Sequence, residues 1–75
     1  VSKIEILQEV QNELDKATNK FGSFASAHEG YAVLLEEVDE LWEEVKMRDK
    51  SVLRMQEEAI QIAAMAIRFV MDVCE

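Results

Sequence analysis

Residues 28–46 read HEGYAVLLEEVDELWEEVK and carry the strongest helical pattern in the chain. At about 100° per residue, Tyr31, Leu34, Leu35, Val38, Leu41, Trp42 and Val45 gather on one side of a helix. Glu36, Asp39, Glu40 and Glu43 fall opposite. Glu37 and Glu44 come at the edge of the apolar stripe, beside Leu41. A carboxylate at such an edge is restricted in rotamer and poorly solvated on one side, so it can be aimed at a cation. Glu37 and Glu40 are three residues apart, and one helical turn brings them to the same neighbourhood.

The rest of the chain repeats the helical theme. There is no proline, and Gly22 and Gly30 are the only glycines. Ser2-Lys3-Ile4-Glu5 has the form of a capping box and predicts a helix from the outset, with Ile4, Leu7, Val10, Leu14, Ala17 and Phe21 as its apolar stripe. Gly22 suits its C-terminal stop. The segment 22–25 is then a connection with Phe24 tucked towards the core. Ser26-Ala27-His28-Glu29 is a second capping box and opens the next helix, which runs to about Met47. Gly30 lies in its first turn, a place for a tolerated glycine or for close approach of a backbone or ligand. Arg48-Asp49-Lys50-Ser51 is a charged turn, with Asp49 or Ser51 as the next cap. A third helix follows from Val52 to about Cys74. It is apolar nearly all round from Ala59 onward, except for a stripe of Arg54, Glu58, Gln61, Met65, Arg68 and Asp72.

The expected architecture is therefore all-α, a single domain over residues 1–75 built as an antiparallel bundle of three main helices. At 75 residues a single core is marginal. So short a chain does not easily enclose the third helix, which predicts completion by oligomerisation. The chain begins at Val1 and stops at Glu75 in mid-pattern, which reads as a trimmed or partly ordered piece.

Sixteen acidic residues against eight basic ones give a net charge of −8. No basic patch is present to neutralise phosphates, which argues against nucleic acid as a partner. A polyanion remains compatible with this charge when divalent cations stand between. The lone Cys74 cannot form an internal disulfide and fits a reducing compartment. The apolar run 59–73 is broken by Gln61, Arg68 and Asp72, too polar and short for a membrane span, and no signal peptide is evident.

Two constellations offer chemistry. The acidic cluster of the second helix, joined by Glu58 of the third, supplies oxygen ligands for Mg²⁺ while leaving positions for water and phosphate. The plainer reading is a solvated acidic face. The polar stripe on the third helix is either a cleft in which Arg54 and Arg68 meet phosphate, or two local pairs, Arg54 with Glu58 and Arg68 with Asp72. His28 reads as a polar residue of a first helical turn, without partners at zinc-ligand spacing. Trp42 and Tyr31 fall on the core stripe, and the four methionines fill helical contacts.

Glu36-Glu37-x-x-Glu40, followed on the next helix by Glu58-x-x-Gln61, resembles the signature of the all-α nucleotide pyrophosphohydrolases of the MazG type: Glu-Glu-x-x-Glu, a spacer, then Glu-x-x-Asp. The flanks HEGYA (28–32) and EAIQIAAMA (58–66) are similar to a small MazG-like branch of bacteria and phages. The resemblance covers about two-thirds of the chain. It implies hydrolysis of a nucleoside or deoxynucleoside triphosphate to monophosphate and pyrophosphate in the cytoplasm by a homodimer or homotetramer. Mg²⁺, with Mn²⁺ as substitute, is implied on Glu37, Glu40, Glu58 and the Gln61 position. Glu36 is implied as a further ligand or as the group that orients water, with Arg54 or Arg68 near phosphate. Gln61 departs from the pattern: it stands where the family has aspartate and brings no charge. Asp72, about 16 Å further along the helix at 1.5 Å per residue, cannot replace it at the same ion. No later phosphate-binding segment is evident. The alternative is a non-catalytic helical dimerisation module that has kept the fold with a degenerate metal site.

Overall fold

The computed structural model describes residues 2–75; Val1, the first residue of the expected domain, lies outside them. Three α-helices occupy Lys3–Lys20 (α1), Ala27–Val45 (α2) and Val52–Phe69 (α3), and α3 runs on into a π-helical turn, Val70–Cys74. No strand occurs among the described residues. α3 is the central element: both α1 and α2 pack against it.

Serine hydroxyls set all three helix starts. Ser2, Ser26 and Ser51 accept hydrogen bonds from the backbone N–H groups of Glu5 (3.2 Å), Glu29 (3.1 Å) and Arg54 (3.2 Å), each satisfying a donor the helix itself leaves free. Ser51, not Asp49, is therefore the third cap. At the second start, Glu29 reaches back to the backbone N–H of Ala25 at 3.1 Å. The first helix ends at Lys20, with Phe21 in extended conformation. Gly22 does not adopt positive φ, so the helix stops without the left-handed turn that favours glycine. The second helix closes at Val45, two residues before the expected end.

Val10, Leu14 and Ala17 of α1, Ile60, Ala64 and Met65 of α3, and Phe24 of the connection form the core, flanked by Val33, Leu34 and Phe69. The central part of the α1 stripe is buried as expected, whereas Ile4, Leu7 and Phe21 remain exposed. Phe24 is buried, as its expected place in the connection required.

The second and third helices are rotated from the orientation their apolar residues suggested. On α2, the side towards α3 carries Gly30, Val33, Leu34, Glu37, Leu41 and Glu44. Tyr31 (62% exposed), Leu35, Val38 and Trp42 (57% exposed) form a row along its outer side, so Tyr31 and Trp42 are not core residues of this chain. The reason is steric. A Cβ added at Gly30 would lie 2.6 Å from the Phe69 ring and 3.1 Å from the Phe24 ring, so the bare face of Gly30 is what lets those rings approach. The close approach anticipated at this glycine is thus to two aromatic side chains.

On α3, part of the polar stripe points inward. Met65 and Arg68 are buried and Asp72 half-buried, while Ala66, Ile67, Val70 and Met71 are exposed. Arg68, at 5% exposure, is held by its partners. It donates to the Gly22 carbonyl, pairs with Asp72 (Nε to Oδ2, 3.4 Å), and lies 4.2 Å from the Phe24 ring centroid. Asp72 also accepts from the Phe24 backbone N–H at 3.1 Å. A buried charge needs such a complete set of partners.

Candidate metal centre

The rotation of α2 brings its edge carboxylates inward. Glu37 and Glu44 are half-buried on the side facing α3, and Glu40 is exposed beside them. Glu58, in the second turn of α3, comes from the opposite helix. One carboxylate oxygen from each of Glu37, Glu40 and Glu58 lies within 4.8 Å of the other two. Two residues on one helical turn and a third on an antiparallel neighbour thus converge, from positions separated by a full helix–turn unit in sequence.

The cluster is electrostatically uncompensated. The buried Oε2 of Glu58 has no hydrogen-bond partner. Burial, joined by the neighbouring Glu40 carboxyl and the charges of Glu58 and Glu36, pushes the Glu37 carboxyl up to about 7. Glu58 is raised by burial first, then by the facing Glu40 carboxyl and the charges of Glu44 and Glu57. Ionised carboxylates accept but do not donate, so groups facing one another this closely need a proton or a cation between them. The donor set suits the cation: hard carboxylate oxygens without sulfur or imidazole match Mg²⁺ or Mn²⁺ rather than zinc.

The other expected site residues fall in different places. Glu36 is exposed on α2 next to Glu37, and both line a groove of about 690 Å³ that reaches across to α1. Gln61 does not turn its amide N–H to the cluster; Nε2 donates to Glu13 Oε2 of α1 at 2.6 Å. Arg68 lines the same groove, but its guanidinium is committed to Gly22 and Asp72. Arg54 is exposed and makes no ion pair among the described residues, with Glu58 or any other group. The two local pairs expected on α3 therefore reduce to one, Arg68 with Asp72.

Sequence reading passed over Glu13, Lys16 and Lys20. They are neighbours at helical spacing on α1, and all three line the groove. The i,i+3 and i,i+4 spacing was visible, but nothing in the linear chain says that this side of α1 faces Gln61 and Glu37. No helix among the described residues is long and apolar enough to cross a membrane. Neither a family model, nor a curated protein, nor a solved structure matches this chain.

Proposed function

We propose that this chain is a MazG-like, Mg²⁺-dependent nucleoside triphosphate pyrophosphohydrolase that releases monophosphate and pyrophosphate. The observation that carries the reading is the meeting of Glu37, Glu40 and Glu58, one of which, Glu58, also has a buried carboxylate oxygen with no partner. Those three residues would hold Mg²⁺, or Mn²⁺ in its place. Bound there, the ion supplies charge neutralisation for phosphate oxygens and lowers the pKa of an attacking water. Glu36, the exposed neighbour of Glu37, would orient that water and accept its proton. Lysines of the adjoining groove would hold the phosphates, while Arg68 stays committed to Gly22 and Asp72 in its wall.

The test is product analysis with a panel of nucleoside and deoxynucleoside triphosphates plus Mg²⁺ or Mn²⁺. Monophosphate and pyrophosphate should appear together. Glu40→Gln should abolish both while leaving the helical circular dichroism intact, because Glu40 is exposed and outside the core. Equal loss of fold would make Glu40 a structural residue.

A second reading is a helical association module without catalysis. The outward row of Tyr31, Leu35, Val38 and Trp42 favours it, since an exposed apolar row at helical spacing is suited to another helix. It differs from the first in predicting a folded oligomer that yields no product from any nucleotide.

A further inference from the structure

The groove beside the carboxylates has features that the metal cluster alone does not require. Its far wall is α1, with Lys16 and Lys20 one turn apart, followed by the aromatic ring of Phe21. Phe21 is 55% exposed despite lying on the apolar stripe of its helix. Its neighbour Phe24 is buried, with one face taken by the Arg68 guanidinium at 4.2 Å, whereas the same guanidinium lies 5.9 Å from the Phe21 centroid. The groove thus pairs one closed aromatic ring with one open ring.

The cations differ in the same way. Lys16 is paired with Glu13 at 3.3 Å, and Arg68 with Asp72. Lys20 makes no ion pair among the described residues; its ammonium rests 5.4 Å from the Phe21 centroid. A cation on an exposed ring is weakly held, so Lys20 is free to turn to an anion. Four glutamates outnumber three basic side chains around the groove, which disfavours an anion arriving without a counter-cation. Glu37 belongs both to the groove and to the carboxylate cluster. A ligand in the groove would therefore share its walls with Glu37, which joins the groove to the cluster, and with Lys20 and Phe21.

We propose that this groove is the nucleotide subsite. In it, Lys20 binds phosphate oxygens of the Mg²⁺-complexed triphosphate and the open face of Phe21 stacks on the base. The inference rests on the pyrophosphohydrolase reading and assigns that reading's substrate contacts to α1. Stacking on a single ring accepts any base, so Phe21 supplies affinity for a planar base without choosing among the four.

Equilibrium binding of α,β-methylene deoxynucleoside triphosphates and of inorganic tripolyphosphate, each with excess Mg²⁺, tests this. The wild-type protein should bind the nucleotide analogues more tightly than tripolyphosphate. Lys20→Gln should weaken both probes about tenfold. Phe21→Leu should weaken the nucleotide about five- to tenfold and leave tripolyphosphate unchanged, because leucine keeps apolar bulk but offers no ring. Thermal melts of both variants check the fold, and both residues lie outside the buried core. Unchanged affinities in both variants, with wild-type binding and turnover intact, overturn the groove assignment and leave the hydrolase reading standing. Equal weakening of both probes by Phe21→Leu overturns the stacking role. No wild-type binding of either probe and no turnover overturns the groove and the hydrolase reading together.

Discussion

Gln61 and Glu13 are joined across α1 and α3 by a hydrogen bond of 2.6 Å from the amide to the carboxylate. The residue that departs from the expected acidic pattern therefore has a structural partner. An aspartate at position 61 would face Glu13 as a second negative charge and remove the amide donor. Gln61→Asp should accordingly lower the melting temperature in chelator. Mg²⁺ or Mn²⁺ should restore it by more than in the wild-type protein, because a ligand that binds only the folded state adds stability. A variant equally destabilised with and without metal would remove position 61 from the metal site.

The acidic cluster predicts a pH dependence of the metal-free fold. Glu37 is raised from an ordinary 4.5 to about 7, and Glu58 is also raised. A carboxyl raised in the folded state favours folding fully when pH is below its unfolded value, and that contribution is lost as pH rises through the folded value. Thermal stability in chelator should thus decline between about pH 4.5 and 7. Saturating Mg²⁺ should flatten the decline, since the cation replaces the proton. Glu37→Gln should remove much of the slope; a slope identical to wild type would assign it to other groups.

Arg68 ties the end of α3 to the connection between α1 and α2, through Gly22, Asp72 and Phe24. Replacing it leaves a half-buried carboxylate without its cation and opens space beside Phe24. Arg68→Met should cost about 3–5 kcal/mol in urea denaturation, the range for breaking a buried pair from one side. In a domain this small that approaches its whole stability. A loss below about 1 kcal/mol would show that Asp72 is satisfied by the Phe24 N–H alone.

The row Tyr31, Leu35, Val38 and Trp42 predicts self-association through α2. Light scattering on a size-exclusion column should give a dimer or tetramer, with Trp42 emission shifted to the blue of a solvated indole. Val38→Glu should yield a smaller species and move the emission to the red. A wild-type monomer with water-exposed Trp42 would sink this expectation.

Much of the fold is legible in local signals. Serine followed three residues later by glutamate marks the first two N-termini, and the charged turn 48–51 narrows the third to Asp49 or Ser51, because capping is satisfied within a few residues of chain. The Val10–Leu14–Ala17 face was legible for the same reason: α1 has one neighbouring helix and a narrow stripe. The orientation of α2 and α3 was not. Both carry apolar arcs wider than the single chain covers, so periodicity alone left several rotations open. Periodicity accordingly puts Tyr31 and Trp42 on the core side, and it leaves the stripe of α3 open between a cleft and two local ion pairs.

By itself the sequence determined an all-helical chain, the places where helices start, and the pairing of Glu37 with Glu40, since one helical turn requires it. Tertiary structure decided which face went inward. Gly30 admits the rings of Phe24 and Phe69, and that close approach turns Glu37 towards Glu58. Packing across the helices likewise joins Gln61 to Glu13 and encloses Arg68 among Gly22, Phe24 and Asp72. Contacts between residues some fifty positions apart depend on shape and packing across helices, which no periodicity along one helix encodes.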